Sequence, residues 1–218
     1  MKLRWLGHAC FLLEESTGTA IITDPYDKRL TGFEMPQAKA DVVTCSHNHA
    51  DHNYVKGVKG SPKVINSPGL YEFNGVNITS IPSYHDSESG KLRGKNLIFK
   101  FRMDGIDVCH LGDIGQDITP ELADAIMPVN ILLIPVGGTY TIDADQAYEY
   151  VSTLMPDVVI PMHYKTPDSI LDIDRLDSFL RLFEDFAVEF AQEDTLIFER
   201  DDFEQNFTKV IIPKRYLL

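Results

Sequence analysis

The chain has 218 residues, of which 44% are hydrophobic and 24% are charged. A globular domain commonly has about 100–200 residues, so this length predicts one domain over 1–218, and the apolar content excludes a disordered chain. Acidic residues outnumber basic ones by 33 to 20, and the net charge of −13 disfavours binding to nucleic acid or to an anionic membrane. No apolar run approaches the roughly 20 residues of a membrane span, so we expect none.

The three cysteines, Cys10, Cys45 and Cys109, lie in apolar, strand-like runs. Their odd number, together with an N-terminus that lacks the features of a signal peptide, favours reduced thiols in the cytoplasm. There they would pack as small core residues. In that compartment the glycosylation sequons at Asn77 and Asn206 are chance matches.

Short strands are predicted throughout the first half of the chain. Each is apolar and is bounded by Gly, Pro, Asp or Ser. The predicted strands are 2–6, 10–14, 20–24, 41–45, 63–65, 76–81, 96–102 and 106–111. The dipeptide Asp104-Gly105 predicts a type I′ turn between the last two strands, because that turn needs a positive φ at both positions.

The second half alternates between strands and helices. Thr119-Pro120 predicts the start of a helix that ends near Met127, and Asp143 with Gln146 predicts a capping box for the next helix. Apolar residues at helical spacing over 173–183 indicate another helix. The strands predicted here are 129–136, 157–162, 195–199 and 209–212. This order indicates an α/β protein whose sheets are covered on the outside by helices.

The densest group of metal-binding side chains follows the apolar run 41–45. His47, His49, Asp51 and His52 lie within six residues of a chain that has seven histidines. Alternation in an extended segment places His47 and His49 on one side, where both can bind one ion. A helix beginning after Ala50 would turn Asp51 and His52 towards a second ion. The alternative is a polar turn that contains histidines by chance, and the clustering argues against it.

The segment His47 to His52 resembles the HxHxDH motif of the metallo-β-lactamase superfamily at every position. This resemblance implies a four-layer αβ/βα sandwich in a single domain, with a site for two divalent ions. Three later residues in superfamily order complete that site. By resemblance, the first ion is held by His47, His49 and His85, the second by Asp51, His52 and His163, and Asp113 bridges them.

Three short segments, 6–11, 23–25 and 161–164, resemble the corresponding sequences of the ascorbate-6-phosphate lactonase-like branch of the superfamily. That branch also resembles a phospholipase D group. Asp24 is then implied to hydrogen-bond a ligand and fix its tautomer, and the alternative is a turn aspartate before Pro25. We expect His8 to lie beside the ligands or in the pocket.

His110, Asp86 and Asp51 are the predicted catalytic residues. His110 lies in the strand 106–111 and either supports the site from the core or replaces His85 as the third ligand, although superfamily order favours His85. Asp86, next to His85, is placed to pass a proton to the leaving group. Asp51 is expected to be both a ligand and a catalytic residue.

Two loops are candidates for shaping a substrate pocket. The loop 86–96 contains Lys91, Arg93 and Lys95, a positive cluster that either binds a phosphate or carboxylate or forms a solvated hairpin loop. The connection 137–141, which contains Tyr140, either offers backbone N–H groups and hydroxyls to an anion or is a glycine turn with a helix cap.

These features predict a hydrolase of a small ester, lactone or phosphodiester. Two ions that bridge a water molecule would lower its pKa and produce an attacking hydroxide. Zinc is the favoured metal, with manganese or iron as alternatives. The expected partner is a small molecule, with an anionic substrate and a homo-oligomer as further candidates. The rival classes are an iron-dependent oxidoreductase of the same fold, against which His49 argues because flavin-linked relatives carry glutamate there, and a metal-binding module without turnover.

Overall fold

A computed structural model describes residues 1–203 and 207–217, so the sequon at Asn206 lies outside the described residues. Within them, the chain forms two mixed β-sheets and four α-helices. The first sheet contains β1 (Lys2–Gly7), β2 (Cys10–Glu14), β3 (Ala20–Thr23), β4 (Val42–Thr44), β5 (Lys63–Ile65) and β13 (Leu196–Ile197), in the order β13-β1-β2-β3-β4-β5.

The second sheet is larger and has the order β12-β14-β11-β10-β9-β8-β7-β6. Its strands are β6 (Gly69–Phe73), β7 (Val76–Tyr84), β8 (Lys95–Met103), β9 (Ile106–His110), β10 (Ile131–Pro135), β11 (Val158–Met162), β12 (Val188–Phe190) and β14 (Lys209–Ile212). Strands β9, β10 and β11 are parallel and buried along their whole length. Such strands read as continuous apolar runs because both of their faces are covered.

The helices are α1 (Lys28–Thr31), α2 (Pro120–Ile126), α3 (Ala144–Leu154) and α4 (Asp177–Leu180). Helix α3 connects the parallel strands β10 and β11, which cannot be joined by a tight turn. The predicted capping box is confirmed: the Asp143 side chain accepts from the Gln146 amide, and the Gln146 side chain accepts from the Asp143 amide. Within the part of the chain that the structure describes, only α2 and α3 exceed four residues.

One hydrophobic cluster contains buried residues from both sheets, such as Phe11 and Val43 from the first and Phe101 and Ile160 from the second. All three cysteines are buried and free. Among the described residues, no helix has the length and apolar character needed to cross a membrane. The predicted turn is confirmed, with φ of 50° at Asp104 and 77° at Gly105.

The differences from the predicted strands and helices concern the edges of the sheets and two helices, one of which is α1, which was not predicted. Strands β6 and β12 lie at the two edges of the second sheet and were not predicted. The helix predicted over 173–183 contains only α4, because no side chain caps its start at Leu176.

Strand direction brings the ends of seven strands to one edge of the sandwich. In the first sheet β1 and β3 are both antiparallel to β2, and β4 is parallel to β3, so β1, β3 and β4 point the same way. In the second sheet β7 and β9 are both antiparallel to β8, and β9, β10 and β11 are parallel. The residues that follow the carboxyl ends of these strands form the site described next.

Candidate metal centre

The loop 46–52 leaves β4 and presents its histidines to two sides. The ring centroid of His47 lies 4.6 Å from that of His49 and 4.6 Å from that of His85, so three imidazoles converge. The backbone then makes a single turn, in which the His52 amide donates to the His49 carbonyl at 2.9 Å. The expectation of a helix after Ala50 is therefore wrong, and one turn is sufficient to place the His52 ring on another side of His47, with a centroid distance of 4.4 Å.

Asp113 lies at the centre of the cluster. Its side chain is only 3% exposed. Its Oδ2 atom faces the Nε2 atoms of four histidines, at 3.2 Å for His52, 3.4 Å for His163, 3.5 Å for His85 and 3.9 Å for His47. A single carboxylate oxygen is thus shared among imidazoles from three separate loops.

Asn96, in β8, holds the loop that contains Asp113. Its Oδ1 accepts from the Asp113 amide at 3.0 Å, and its Nδ2 donates to the Leu111 carbonyl at 2.9 Å. Gly112 has a φ of 59°, and a Cβ atom there would lie 2.4 Å from Asn96 Oδ1, so this turn requires glycine. Sequence reasoning missed Asn96, and no motif or spacing would have identified it.

The ligand atoms form overlapping groups whose members lie within 4.8 Å of one another. The three-histidine group contains His47, His49 and His85. The mixed group contains His8, Asp51, His52 and His163. A third group, His47, His52 and Asp113, connects the other two. Imidazole nitrogens and carboxylate oxygens are the ligands that zinc, manganese and iron accept in proteins.

Asp24 and Ser46 determine which ring nitrogens of two histidines carry protons. The Asp24 carboxylate accepts from the Ser46 hydroxyl at 2.6 Å and lies 2.9 Å from His52 Nδ1. Because the Ser46 hydroxyl donates to Asp24, its oxygen accepts from His47 Nδ1, which is 2.9 Å away. When these two imidazoles are neutral, both therefore carry the proton on Nδ1 and direct an unprotonated Nε2 towards Asp113. Ser46 was not a predicted site residue, although it directly precedes the motif.

Four buried polar atoms at this centre have no hydrogen-bond partner: His47 Nε2, His85 Nδ1, His163 Nδ1 and Asp113 Oδ1. Buried polar atoms are nearly always satisfied, so this concentration needs an explanation. The lone pairs of His47 Nε2 and of the Asp113 carboxylate both accept and cannot satisfy each other. A cation satisfies both, so the residues present fit a bound metal.

Burial and mutual charge shift the pKa values in the cluster. Burial and the neighbouring His52 lower the pKa of His47 to about 3, and burial also lowers that of His85, so both imidazoles are neutral and able to bind a metal. Burial acts to raise the pKa of Asp113, but His163 and His52 outweigh it and hold that pKa well below the usual range. Burial likewise opposes charge on His52, but the carboxylates of Asp113 and Asp24 raise its pKa well above the ordinary value.

Comparison with known proteins identifies the family. The family model of the β-lactamase superfamily domain matches residues 2–163. The chain belongs to this superfamily. A UPF0173 metal-dependent hydrolase from Carboxydothermus hydrogenoformans is 33% identical over 201 residues, which cover 76% of this chain and 85% of the relative. Another from Methanoculleus marisnigri is 31% identical over 208 residues, which cover 84% and 89%.

A solved structure gives the same result. A candidate Zn-dependent hydrolase of the metallo-β-lactamase superfamily from Thermotoga maritima is 40% identical, with a TM-score of 0.79 and coverage of 98% of this chain and 99% of that chain. The fold is therefore the metallo-β-lactamase fold, and the chain is a homologue of metal-dependent hydrolases.

His110 belongs to none of the three groups of ligand atoms. Its Nε2 is 2.7 Å from the Ala9 carbonyl oxygen, and its Nδ1 accepts from the Gly112 amide at 3.1 Å. Both ring nitrogens are thus engaged with the backbone, whereas His85 belongs to the three-histidine group. The geometry opposes His110 as a ligand or a catalytic residue and gives it a supporting role, fixing the turn before Asp113.

Asp86 has a structural role that opposes the predicted proton transfer. Its Oδ1 accepts from the amides of Glu88 and Gly90 at 2.8 and 2.9 Å, and its Oδ2 accepts from those of Leu92 and Arg93 at 3.0 and 2.7 Å. Although burial acts to raise its pKa, these four donors lower it. Both oxygens are therefore occupied in holding the loop 86–96, and the carboxylate is not available as an acid.

A cavity of about 610 Å³ opens beside the three-histidine group of this metallo-β-lactamase-fold protein. Its lining includes His47, His49, Tyr84, Arg93 and Lys95. The Arg93 guanidinium lies 4.9 Å from the centroid of the Tyr140 ring and donates to the Thr139 carbonyl at 3.0 Å. The two loops expected to shape the pocket thus meet through Arg93, and Arg93 and Lys95 place positive charge on the lining of the cavity.

Proposed function

We propose that this chain is a hydrolase with a dinuclear metal centre. The observation that carries the proposal is the position of Asp113 Oδ2, which faces histidines of both donor groups over distances of 3.2–3.9 Å. One group holds a first ion, the other holds a second, and Asp113 lies between them. The assigned ligands are His47, His49 and His85 for the first ion, Asp51, His52 and His163 for the second, and Asp113 for both.

Zinc is the preferred metal in this proposal, with manganese or iron as alternatives, because the donors are imidazoles and carboxylates without thiolates. When bound, a pair of such ions makes water nucleophilic at neutral pH and stabilises negative charge on the reacting group. The protein holds the donors in the required orientation. Asp24 and Ser46 hold His52 and His47 in the required tautomer, and Asn96 fixes the loop of Asp113.

The proposed substrate is a small ester, lactone or phosphodiester that carries an anionic group. The cavity of about 610 Å³ is of the size that binds small molecules and reaches the exposed His49. Arg93 and Lys95 on its lining offer positive charge in an otherwise acidic chain. Lactone opening is favoured by the similarity to the ascorbate-6-phosphate lactonase-like branch, and phosphodiester cleavage by the suitability of paired ions for phosphoryl transfer.

The proposal also covers the cellular location and the domain organisation of the enzyme. Free, buried cysteines support a cytoplasmic location, where thiols stay reduced. The whole of 1–218 acts as one catalytic domain.

Elemental analysis of the purified protein, followed by a substrate panel, tests this function. The panel contains sugar lactones, acyl-lactones and a chromogenic phosphodiester, each assayed with chelator and after zinc, manganese or iron is restored. We expect two transition-metal ions per chain and turnover that chelator abolishes. Coloured protein that contains iron and consumes oxygen would support an oxidoreductase, and two ions without turnover would support a metal-binding module. Failure to bind any transition metal would overturn the proposal.

A further inference from the structure

His8 lies inside the mixed donor group, although it is far from the other members in sequence. It follows β1 and is 2% exposed. Its Nε2 lies 3.1 Å from Nε2 of His52 and 3.7 Å from Oδ2 of Asp51, and its ring centroid is 4.3 Å from that of His163. His8 thus faces all three of the residues assigned above to the second ion.

The backbone at His8 has an unfavourable conformation that the surrounding residues maintain. Its φ is 53°, in the left-handed region that side chains other than glycine rarely adopt. Its carbonyl accepts from the Trp5 indole at 2.9 Å and from the His163 amide at 3.4 Å. Strained residues that are held in this way are concentrated at functional sites, so the conformation suggests that the direction of the His8 ring is important.

The distances between donor atoms match those around one ion. Ligand atoms about 2.1 Å from a tetrahedral ion lie about 3.4 Å from one another. The three distances among His8 Nε2, His52 Nε2 and Asp51 Oδ2 are 3.1, 3.7 and 3.7 Å. The distance of 3.7 Å to Asp51 is too long for a hydrogen bond, so a hydrogen bond does not explain why this histidine faces that carboxylate.

We propose that His8 is a fourth protein ligand of the second ion, in addition to Asp51, His52 and His163. This inference rests on the metal centre of the proposed function. It makes the two metal positions unequal: in addition to the shared Asp113, the second has four protein donors and the first has three histidines. A position with more protein donors is closed, whereas one with fewer donors leaves a coordination position for water or substrate.

The surroundings of the two groups agree with this difference. The second position is formed mainly by buried residues, whereas His49 of the first is exposed. The cavity is lined by His47 and His49 and by no member of the second group. The first ion is therefore the one that faces substrate, and the second is the tightly bound partner.

Metal titration of the chain 1–218 tests the inference without an activity measurement. Metal-free protein is titrated with Zn²⁺ against a chromophoric chelator, and Co²⁺ reports the ligand set through its visible absorption. We expect two classes of site in the wild type, the tighter one being the second position. His8→Ala should weaken that class by more than about 100-fold, which exceeds the 10–100-fold effect of residues that only support a ligand, and should change the cobalt spectrum.

Matched variants separate the alternatives. His85→Ala should affect the other class of site, and Leu70→Ala, at a residue that is 84% exposed on the edge strand β6, should affect neither. His8→Gln retains a hydrogen-bond donor but not a good metal ligand, so it should behave like His8→Ala, and circular dichroism verifies that each variant is folded. Two unchanged classes in both His8 variants, or wild-type affinity in His8→Gln alone, would overturn the ligand role. A wild type that binds no metal would instead refute the proposed function.

Discussion

The Asp24 carboxylate accepts from Ser46 and lies 2.9 Å from His52 Nδ1, and through Ser46 it also orients His47. These contacts place the free lone pair of each histidine on Nε2, which faces Asp113. His47 belongs to the three-histidine group and His52 to the mixed group. A single carboxylate that contacts no ion thus sets the tautomer of one ligand for each proposed metal.

We expect Asp24→Asn to weaken both metal sites by about 10–100-fold, the range typical of residues that orient a ligand. The neutral amide cannot hold the Ser46 hydroxyl and His52 Nδ1–H as strongly, so the wrong tautomers become populated. Competition with a chromophoric chelator measures this change. Asp86→Asn is the control, since that carboxylate holds a loop rather than a ligand. If Asp24→Asn and wild type bind metal equally well, tautomer control is the wrong explanation.

Metal affinity should rise with pH. The carboxylates of Asp113 and Asp24 raise the pKa of His52, so the metal-free protein keeps this imidazole protonated at neutral pH. Binding must displace that proton, and the apparent affinity therefore falls by up to about tenfold per pH unit as the pH drops below this pKa. Calorimetry at one pH in buffers of different ionisation enthalpy counts the protons released. An affinity that does not change between pH 6 and 8 would show that His52 is already neutral.

The sequence motif and the order of the later residues predicted which side chains lie together in the site, but not which residues support them. The structure brings together all seven residues predicted as ligands, and their role as ligands stays a prediction. The spacing of His47 and His49 was informative because neighbours in an extended segment share a side. Asn96 and Ser46 were missed because their roles depend on contacts between residues that are far apart in sequence. Spacing along the chain does not reveal such contacts.

At the level of elements, the loop after β9 packs closely against the residue after β7. The Gly115 amide donates to the Tyr84 carbonyl at 3.0 Å, next to His85. A Cβ atom at Gly115 would lie 2.6 Å from the carbonyl carbon and oxygen of His85, which are backbone atoms and cannot rotate away. The position of one proposed ligand thus depends on a missing side chain in another loop.

Gly115→Ala should therefore displace His85 and weaken the three-histidine site, besides lowering the free energy of unfolding by about 1–3 kcal/mol, as overpacking usually does. Gly75→Ala is the control. A Cβ atom there meets nothing within 4 Å, but the φ of 88° makes alanine unfavourable by about 1–2 kcal/mol. Chemical denaturation should show a loss of stability in both variants. Metal titration should show weaker binding only in Gly115→Ala, and equal binding in the two would contradict this account of the packing.

The elements of the sheets were predictable to different degrees. The buried strands β9, β10 and β11 were predicted because their apolar runs are continuous. β6 was missed because it is an edge strand whose Leu70 is 84% exposed, so its apolar residues do not follow the expected alternation. The helix expected over 173–183 has the right apolar spacing, but spacing alone does not supply the cap that a helix needs in order to begin.

For the molecule as a whole, the proposed metal ligands come from both sheets and meet at one edge of the shared core. His47, His49 and His52 follow a strand of the first sheet, whereas His85, Asp113 and His163 follow strands of the second. A bound ion therefore links the sheets, and it should stabilise the folded state over the unfolded chain, which has no such arrangement.

Removal of the metal should lower the melting temperature. A ligand present at about 1,000 times its dissociation constant adds roughly 4 kcal/mol to the stability, which for a domain of this size corresponds to about 8–16 °C. Differential scanning calorimetry with and without chelator, followed by addition of excess zinc, measures the shift. A melting temperature that chelator does not change would show that the ions contribute nothing to folding.

The dependence of the centre on loops as far apart as His8 and His163 has a consequence during synthesis. The last donor follows β11, so a nascent chain cannot assemble both positions until that strand has left the ribosome. The complete centre therefore forms only after His163 has been synthesised, and the metals free in the surrounding fluid at that moment compete for it. The element present in the living cell is thus decided by supply as well as by the preferences of the imidazoles.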